Sequence, residues 1–264
     1  MTLSPEFESL SHALAQAWRD VSTTALPPMQ ASPQSRDEAF AIQSRMFDLL
    51  DDPCVGWKIG APVRAVQILE GHDGPIIGRI PASRLQSSPG TLPARFKGYK
   101  IESEFAFRFA RAVPARPGGY TREEIDPIIS LHPGLELAGS RYAITHDSRR
   151  FTTYDAIADN GTAGGYILGE AVSSWRGIDL AGLILEARID GGEPIEVYQG
   201  IYRRDPVDIL VETVNSLGER GIGMAEGDIF TTGSLTMPTP LHPGQTYVAN
   251  FPGLGSVSVT MERP

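Results

Sequence analysis

The sequence predicts a β-rich α+β fold with helices at its N-terminus. Apolar residues recur at helical spacing in the first fifty residues, whereas later segments are short runs rich in β-branched and aromatic residues between Gly and Pro turns. The 264-residue chain contains no repeat and no obvious linker. We therefore expect a single domain over residues 1–264, with a helical N-terminal element at 1–52 and a β-rich catalytic core at 53–264.

Two helices are predicted in the N-terminal element. The first covers residues 5–20, where Pro5 suits the first helical turn. Its apolar face comprises Phe7, Leu10, Leu14 and Trp18. The second begins at a capping box formed by Ser35 and Glu38. Its apolar face comprises Ala39, Ile42, Met46 and Leu49.

Most elements of the core are predicted to be strands. They correspond to the runs VGWKIG, IESEFAFRFA, LELAGSRY, GGYILGE, GDIFTTGSL and TYVANFPGLGSVSVTME. A further strand pair is predicted in LAGLILEARIDGGEPIEVYQG, with its hairpin turn at Gly191 and Gly192. One helix follows, with Asp205 as N-cap, Pro206 in its first turn and Gly218 near its end. Its buried face comprises Ile209, Leu210, Val214 and Leu217.

Composition narrows the classes of partner. A net charge of -9 without a Lys/Arg-rich run disfavours nucleic acid, so we expect a small-molecule substrate. Cys54 is the only cysteine, which excludes an internal disulfide and a multi-cysteine metal site. The first twenty residues are acidic where a signal peptide would be basic, and no apolar stretch reaches the length of a membrane span. We therefore expect no membrane association and a cytoplasmic location.

Two carboxylates occupy one face of a strand-like run. In YKIESEFAFRF, residues 99–109, Glu102 and Glu104 share a face because strand side chains alternate. The opposite face carries Ile101, Phe105, Phe107 and Phe109. A half-exposed strand with its charged face in water would explain this pattern as well as a binding site would. Glu136 in PGLELAG fits a solvated face less easily, because only small or apolar residues surround it.

Three carboxylates without a cysteine or histidine pattern indicate a metal site. Neighbouring carboxylates repel, so a buried pair requires a proton or a cation between its members. An oxygen-rich cluster of this kind suits Mg²⁺ or Mn²⁺ with open positions for water and substrate. A divalent metal site at Glu102, Glu104 and Glu136 is therefore one hypothesis from the spacing, and a solvated acidic face stays the alternative.

Three further polar residues are candidates for the same site. Lys58 lies in the apolar run GWKIG, where it either reaches the surface or faces the carboxylates as an anion-binding or proton-transfer group. Asn160 precedes a glycine-rich turn in DAIADNGTAGG, and Thr232 lies in TTGS. Both segments are equally compatible with ordinary turns. No GxGxxG after a strand, P-loop or GxSxG motif competes with the acidic site, and the five histidines lack ligand spacing.

An ordered set of motifs carries a resemblance to a known family. From Ala39 to Val259 the chain shows AFAIQ, GWKIGAPVRAVQ, IESEFAF, LELAGSRY, DAIADNGTAGGYILG, GDIFTTGSL and GLGSVSV. In this order they resemble the 2-keto-4-pentenoate hydratase and 4-oxalocrotonate decarboxylase family, within the wider fumarylacetoacetate hydrolase-like group. The resemblance implies a mixed β-roll core with N-terminal helices, and a homo-oligomer.

The resemblance also implies roles for individual residues. Glu102, Glu104 and Glu136 would bind Mg²⁺ or Mn²⁺, and Lys58 would be catalytic and bind substrate. Asn160 and Thr232 would bind substrate as well. The implied reaction adds water to a 2-hydroxy-dienoic or 2-oxo-enoic acid through an enolate that the metal stabilises.

One departure from the family pattern leaves the reaction open. In GPIIGRI, Ile76 stands where family hydratases carry an aspartate that is a candidate for proton transfer, and an isoleucine cannot move a proton. Gly161 and Thr162 also replace the usual residues after Asn160. The alternatives are a 2-oxo acid decarboxylase of the 4-oxalocrotonate type, another reaction of the wider group, such as hydrolysis with a His–Glu base, and a metal-binding protein that has lost catalysis.

Overall fold

A computed structural model describes residues 3–264. Its α-helices are α1 (Pro5–Asp20), α2 (Arg36–Leu50), α3 (Arg64–Glu70), α4 (Arg122–Ile125), α5 (Thr153–Ala158) and α6 (Pro206–Glu219). Its first strands are β1 (Thr24–Ala25), β2 (Cys54–Gly60), β3 (Ile76–Pro81), β4 (Leu85–Ser87), β5 (Gly90–Leu92), β6 (Lys100–Phe109) and β7 (Ile129–Ala138). The remaining strands are β8 (Tyr142–Ala143), β9 (Ala163–Leu168), β10 (Glu186–Ile189), β11 (Ile229–Thr231), β12 (Thr239–Pro240), β13 (Thr246–Phe251) and β14 (Gly255–Met261).

The two N-terminal helices form where the sequence predicts them. Ser4 caps α1 and Ser35 caps α2, each accepting a backbone N–H three residues ahead. The capping box at α2 is only half formed, because the Glu38 carboxylate accepts from the backbone N–H of Gln34 and not from that of Ser35. The apolar faces of α1 and α2 pack into the main hydrophobic core, which also contains the strand residues. No helix among residues 3–264 is long and apolar enough to cross a membrane.

Three sheets make up the β-rich part. The largest has eight strands in the order β3-β2-β11-β6-β7-β9-β4, with β12 also paired to β6. A second sheet has the order β10-β13-β14-β5, and β1 pairs with β8. Parallel and antiparallel pairs occur together in both larger sheets. The predicted α+β class with a mixed sheet and N-terminal helices is confirmed, while the division into one domain at residues 1–264 stays a prediction.

The central strand β6 is buried on both faces. Ile101, Phe105 and Phe107 are at most 1% exposed, as the alternation predicts for the apolar face. Glu104 on the opposite face is fully enclosed as well. The interpretation of β6 as a half-exposed strand with its charges in water is therefore wrong, because the curled sheet covers the carboxylate side.

The predicted hairpin at Gly191 and Gly192 differs from the structure. The turn occurs one residue earlier, where Asp190 and Gly191 adopt positive φ values of 50° and 69° and Gly192 N–H donates to the Ile189 carbonyl. The returning segment keeps one hydrogen bond to β10, from Ile195 N–H to the Ala187 carbonyl at 2.8 Å, but it forms no second strand. Strand β10 instead pairs antiparallel with β13.

Helix α6 confirms its predicted capping. The Asp205 carboxylate accepts from the backbone N–H of Val207, and Pro206 occupies the first turn. The predicted apolar face of this helix is buried in the main core. The start of α6 also forms part of the wall of a cleft over the large sheet.

Candidate metal centre

Two neighbouring strands bring three carboxylates together. β6 contributes Glu102 and Glu104, and Glu136 of β7 lies directly opposite Glu102 in the antiparallel register. One carboxylate oxygen from each residue lies within 4.8 Å of those from the other two. Strand alternation and the register of β6 with β7 therefore create the cluster without a loop residue.

The environment disfavours charge on these carboxylates. Glu104 and Glu136 are buried and Glu102 is partly buried. Burial, followed by the charge of Glu136, raises the pKa of Glu102 to about 8, although Lys58 opposes the shift. Burial also raises the pKa of Glu104 well above its usual range, and the charges of Glu136 and Glu102 add to the effect. Without a cation, the cluster therefore retains protons near neutral pH.

The polar atoms around the cluster fit a bound cation. Neither carboxylate oxygen of Glu104 has a hydrogen-bond partner in the described part of the chain, and the hydroxyls of Tyr166 and Thr231 also lack one. An unsatisfied buried polar group costs about 1–3 kcal/mol, and more if it is charged. Carboxylate oxygens that converge, with those of Glu104 not satisfied by the fold, are the ligands that a hard divalent cation such as Mg²⁺ or Mn²⁺ prefers. Glu102, Glu104 and Glu136 are the residues that would hold it.

Lys58 extends from β2 to the same cluster. Its ammonium lies 3.1 Å from Glu136 Oε1, and its side chain is buried. Strands β11 and β6 separate β2 from β7 in the sheet, a distance of about 14 Å if the sheet were flat. The ion pair therefore depends on strong curling of the sheet. Gly161 permits the approach, because a Cβ there would lie 2.8 Å from Lys58 Cε.

A cleft opens over the cluster. Its volume is about 690 Å³, counting space open to solvent, and its wall combines polar and apolar side chains. The polar or charged residues that line it include Lys58, Glu70, Glu102, Arg203, Arg204 and Thr232. Glu102 is the member of the cluster that faces this cleft, so a small ligand would reach the carboxylates from here.

The structure places the two remaining candidates differently. Thr232 lines the cleft, and its hydroxyl donates to the Phe105 carbonyl at 3.2 Å. Asn160 does not line the cleft and is fully buried. Its amide group accepts from the backbone N–H of Arg79 at 2.7 Å and donates to the Arg79 carbonyl at 3.0 Å. Substrate binding by either residue stays a prediction, and the contacts of Asn160 favour a role in holding β3.

Sequence reasoning missed Glu70. This residue ends α3 and lines the cleft, and its Oε2 lies 3.9 Å from His72 Nε2. The run RAVQILE before Gly71 does have the signals of a short helix with a glycine C-cap. Those signals would have indicated the helix, although not that its last side chain meets the cleft.

Comparisons with known proteins agree with the resemblance. No family model matches the chain. A curated "2-keto-4-pentenoate hydratase" of Paraburkholderia xenovorans (strain LB400) is 28% identical over 233 residues, which cover 86% of this chain and 84% of that protein. A "4-oxalocrotonate decarboxylase" of Pseudomonas putida is 27% identical over 208 residues, covering 77% of this chain and 76% of that protein.

A solved structure shares the fold. The 4-oxalocrotonate decarboxylase from Pseudomonas putida G7, complexed with magnesium and adipate, superposes with a TM-score of 0.84. It is 24% identical, and the match covers 98% of this chain and 99% of that one. The resemblance to the 2-keto-4-pentenoate hydratase and 4-oxalocrotonate decarboxylase family is confirmed, as is the expected fumarylacetoacetate hydrolase-like fold.

Proposed function

We propose that the chain is a divalent-metal-dependent hydro-lyase of the 2-keto-4-pentenoate hydratase type. It would add water to a 2-hydroxy-dienoic or 2-oxo-enoic acid. The observation that carries this proposal is the convergence of Glu102, Glu104, Glu136 and Lys58 beside one cleft. The similarity to curated hydratases supports the reaction, and the magnesium complex of the similar decarboxylase supports a divalent cofactor. We propose Mg²⁺ or Mn²⁺.

The chain's own residues would bind and orient the substrate. When bound, the cation would supply a Lewis acid that stabilises negative charge at the C2 oxygen. Lys58 is held by Glu136 and borders the cleft, so its ammonium can bind the substrate carboxylate and move a proton. Thr232 lines the same space and would contact the bound acid there.

A decarboxylase of the 4-oxalocrotonate type is the second candidate, and Arg203 favours it. This residue lines the cleft, and its guanidinium donates to the carbonyls of Leu180, Leu183 and Tyr198. It forms no ion pair within residues 3–264, and burial lowers its pKa to about 10. A substrate with a second carboxylate would supply the missing anion.

Location and assembly are part of the proposal. We propose a cytoplasmic enzyme that forms a homo-oligomer, because the resemblance implies one. Exposed Ile68 and Leu69 on α3 and Ile201 nearby provide apolar surface for subunit contacts. Sedimentation velocity measures the assembly directly, and a monomer at micromolar concentration would contradict it.

Proton NMR of freshly prepared 2-hydroxypenta-2,4-dienoate tests the reaction. We expect 4-hydroxy-2-oxopentanoate to form with Mg²⁺ or Mn²⁺, and not with EDTA or in the Glu104→Gln variant. Glu226→Gln, an exposed change outside the cleft, serves as the matched control. Carbon dioxide release from a dienoic diacid without hydration would favour the decarboxylase. Turnover that survives EDTA would contradict a metal-dependent reaction of either type.

A further inference from the structure

The cleft contains an apolar side chain at the position where the resemblance predicts a proton-transfer group. Ile76 lines the cleft and is 5% exposed. A Cβ placed on Gly60 would lie 2.7 Å from Ile76 Cγ1 and 3.4 Å from Lys58 Nζ. Position 76 therefore lies beside the ammonium of Lys58, and hydration requires another group to carry protons there.

Glu70 extends into the same space. It ends α3, lines the cleft, and has a side chain that is 36% exposed. The charges of Lys58 and Glu136 both act on its carboxylate, which in turn acts on Glu102. Glu70 lines the same cleft as Lys58, Glu102 and Ile76. It is not one of the three residues whose oxygens converge.

Several other ionisable groups that line the cleft are poor proton carriers or already have a role. Burial raises the pKa of Tyr198 to about 12, and Arg203 and Arg204 stay charged at neutral pH. Glu102 belongs to the metal-binding cluster, and Lys58 is paired with Glu136. Partial desolvation raises the pKa of Glu70 above that of an ordinary glutamate, a shift in the direction that favours acid–base catalysis.

We propose that Glu70 is the catalytic proton-transfer residue of this chain and replaces the carboxylate that Ile76 lacks. The role rests on the proposed hydratase function. The carboxyl group of Glu70 would give its proton to C5 of the dienol as the C2 hydroxyl proton leaves to solvent and its electron pair forms the C2 carbonyl. Water would then add at C4 to the C3=C4 double bond of the resulting enone. The Glu70 carboxylate would take a proton from that water, and C3 would recover one from solvent.

Four proteins test the role: wild type, Glu70→Gln, Glu226→Gln and the double variant Glu70→Gln with Ile76→Asp. Initial rates of 4-hydroxy-2-oxopentanoate formation give kcat and KM, and Mn²⁺ titration gives metal affinity. We expect Glu70→Gln to lower kcat by about 100-fold or more, as loss of a general acid–base group does. Its KM and Mn²⁺ affinity should change by less than roughly threefold, a shift below 1 kcal/mol. Glu226→Gln should match wild type.

The double variant separates proton transfer from a structural effect. The double variant should have a kcat at least about tenfold higher than that of Glu70→Gln, because an aspartate at position 76 returns a carboxyl group to the same cleft. Lost Mn²⁺ affinity in Glu70→Gln, or no rescue by the double variant, would overturn the role. Unchanged turnover by Glu70→Gln would overturn the role of Glu70 and would leave the proposed hydratase function standing. No turnover by wild type would overturn the proposed function together with this role.

Discussion

Two regions of the protein each contain a buried acidic side chain, but only one of these carboxylates accepts hydrogen bonds. Asp159, the fully buried residue that follows α5, accepts hydrogen bonds from Arg141 Nε at 2.6 Å, the Arg141 backbone N–H at 2.9 Å and the Ser140 hydroxyl at 2.8 Å. At the metal centre, Glu104 is equally enclosed, yet neither of its oxygens accepts a hydrogen bond within the described residues. The first carboxylate is satisfied by the fold and the second is not.

The difference distinguishes a structural acid from a ligand-binding one. A buried charge requires a compensating partner, and Arg141 provides one for Asp159. The oxygens of Glu104 converge with those of Glu102 and Glu136, so a cation can compensate all three together. Missing partners are therefore more informative about function here than burial alone.

The largest expected effect is the loss of stability when the buried ion pair between Arg141 and Asp159 is broken. Asp159→Asn should lower the free energy of unfolding by about 3–5 kcal/mol, because Arg141 stays buried without its carboxylate. Urea denaturation measures the change. The control is Asp37→Asn, since Asp37 pairs with Arg220 at 2.7 Å but is 79% exposed and should change stability by less than about 1 kcal/mol. Equal effects of the two variants would remove the contrast between buried and exposed pairs.

Glu104→Gln should weaken metal binding without lowering the stability of the metal-free protein. We expect metal affinity to fall by more than the roughly 10- to 100-fold typical of changes to groups that only support a ligand, because a ligand itself is lost. In EDTA the variant should be at least as stable as wild type, since its amide resembles the protonated carboxyl group. Mn²⁺ titration and urea denaturation measure the two quantities. Destabilisation in EDTA comparable with that of Asp159→Asn would identify Glu104 as structural.

Asn160→Ala tests whether Asn160 stabilises the fold or binds substrate. Loss of its two hydrogen bonds to the backbone of Arg79 should cost about 1–3 kcal/mol of stability. The KM of the folded variant should stay near the wild-type value, because Asn160 does not line the cleft. Steady-state kinetics at a temperature well below the unfolding transition give the comparison. A large rise in KM with unchanged stability would restore Asn160 as a substrate-binding residue.

The smallest expected effect is the pH dependence of the metal-free protein. Glu102 has a pKa of about 8 in the folded state against 4.5 for an ordinary glutamate, so between these values the folded state holds more protons. Its contribution to stability is complete below pH 4.5 and is lost as the pH rises through 8. From pH 6.5 to 7.5 the free energy of unfolding in EDTA should fall by about 1 kcal/mol.

Two controls assign this pH dependence. Saturating Mg²⁺ should weaken it, because metal binding replaces the protons. Glu102→Gln should flatten it in EDTA. A rise in stability over the same interval would show that the metal-free carboxylates are charged and would contradict the raised pKa.

Much of the site follows from local sequence patterns. Strand alternation placed Glu102 and Glu104 on one face, and the apolar surroundings of Glu136 indicated a buried carboxylate. The N-cap and apolar face of α6 were likewise evident from its residues. Such features depend on the period of a helix or strand and on a few neighbours, so a single sequence reveals them.

Other features depend on which segments meet. The turn at Asp190 was predicted one residue late, and the choice of β13 as partner of β10 involves residues about sixty positions apart. Asn160 follows a family motif, yet its side chain is committed to the backbone of Arg79. Neither outcome has a local signal, because both follow from long-range packing.

The sequence by itself determined the main elements around the site and the chemistry available to it: helical periodicity in α1 and α2, alternation in β6, and three hard oxygen ligands in a chain with one cysteine. Only the tertiary structure decided that Lys58 reaches across two intervening strands to Glu136 and that Glu70 lines the same cleft as Ile76. The physical reason is that periodicity reports which side of an element is buried. The curl of a sheet, and the groups that meet across it, are instead set by packing the whole core.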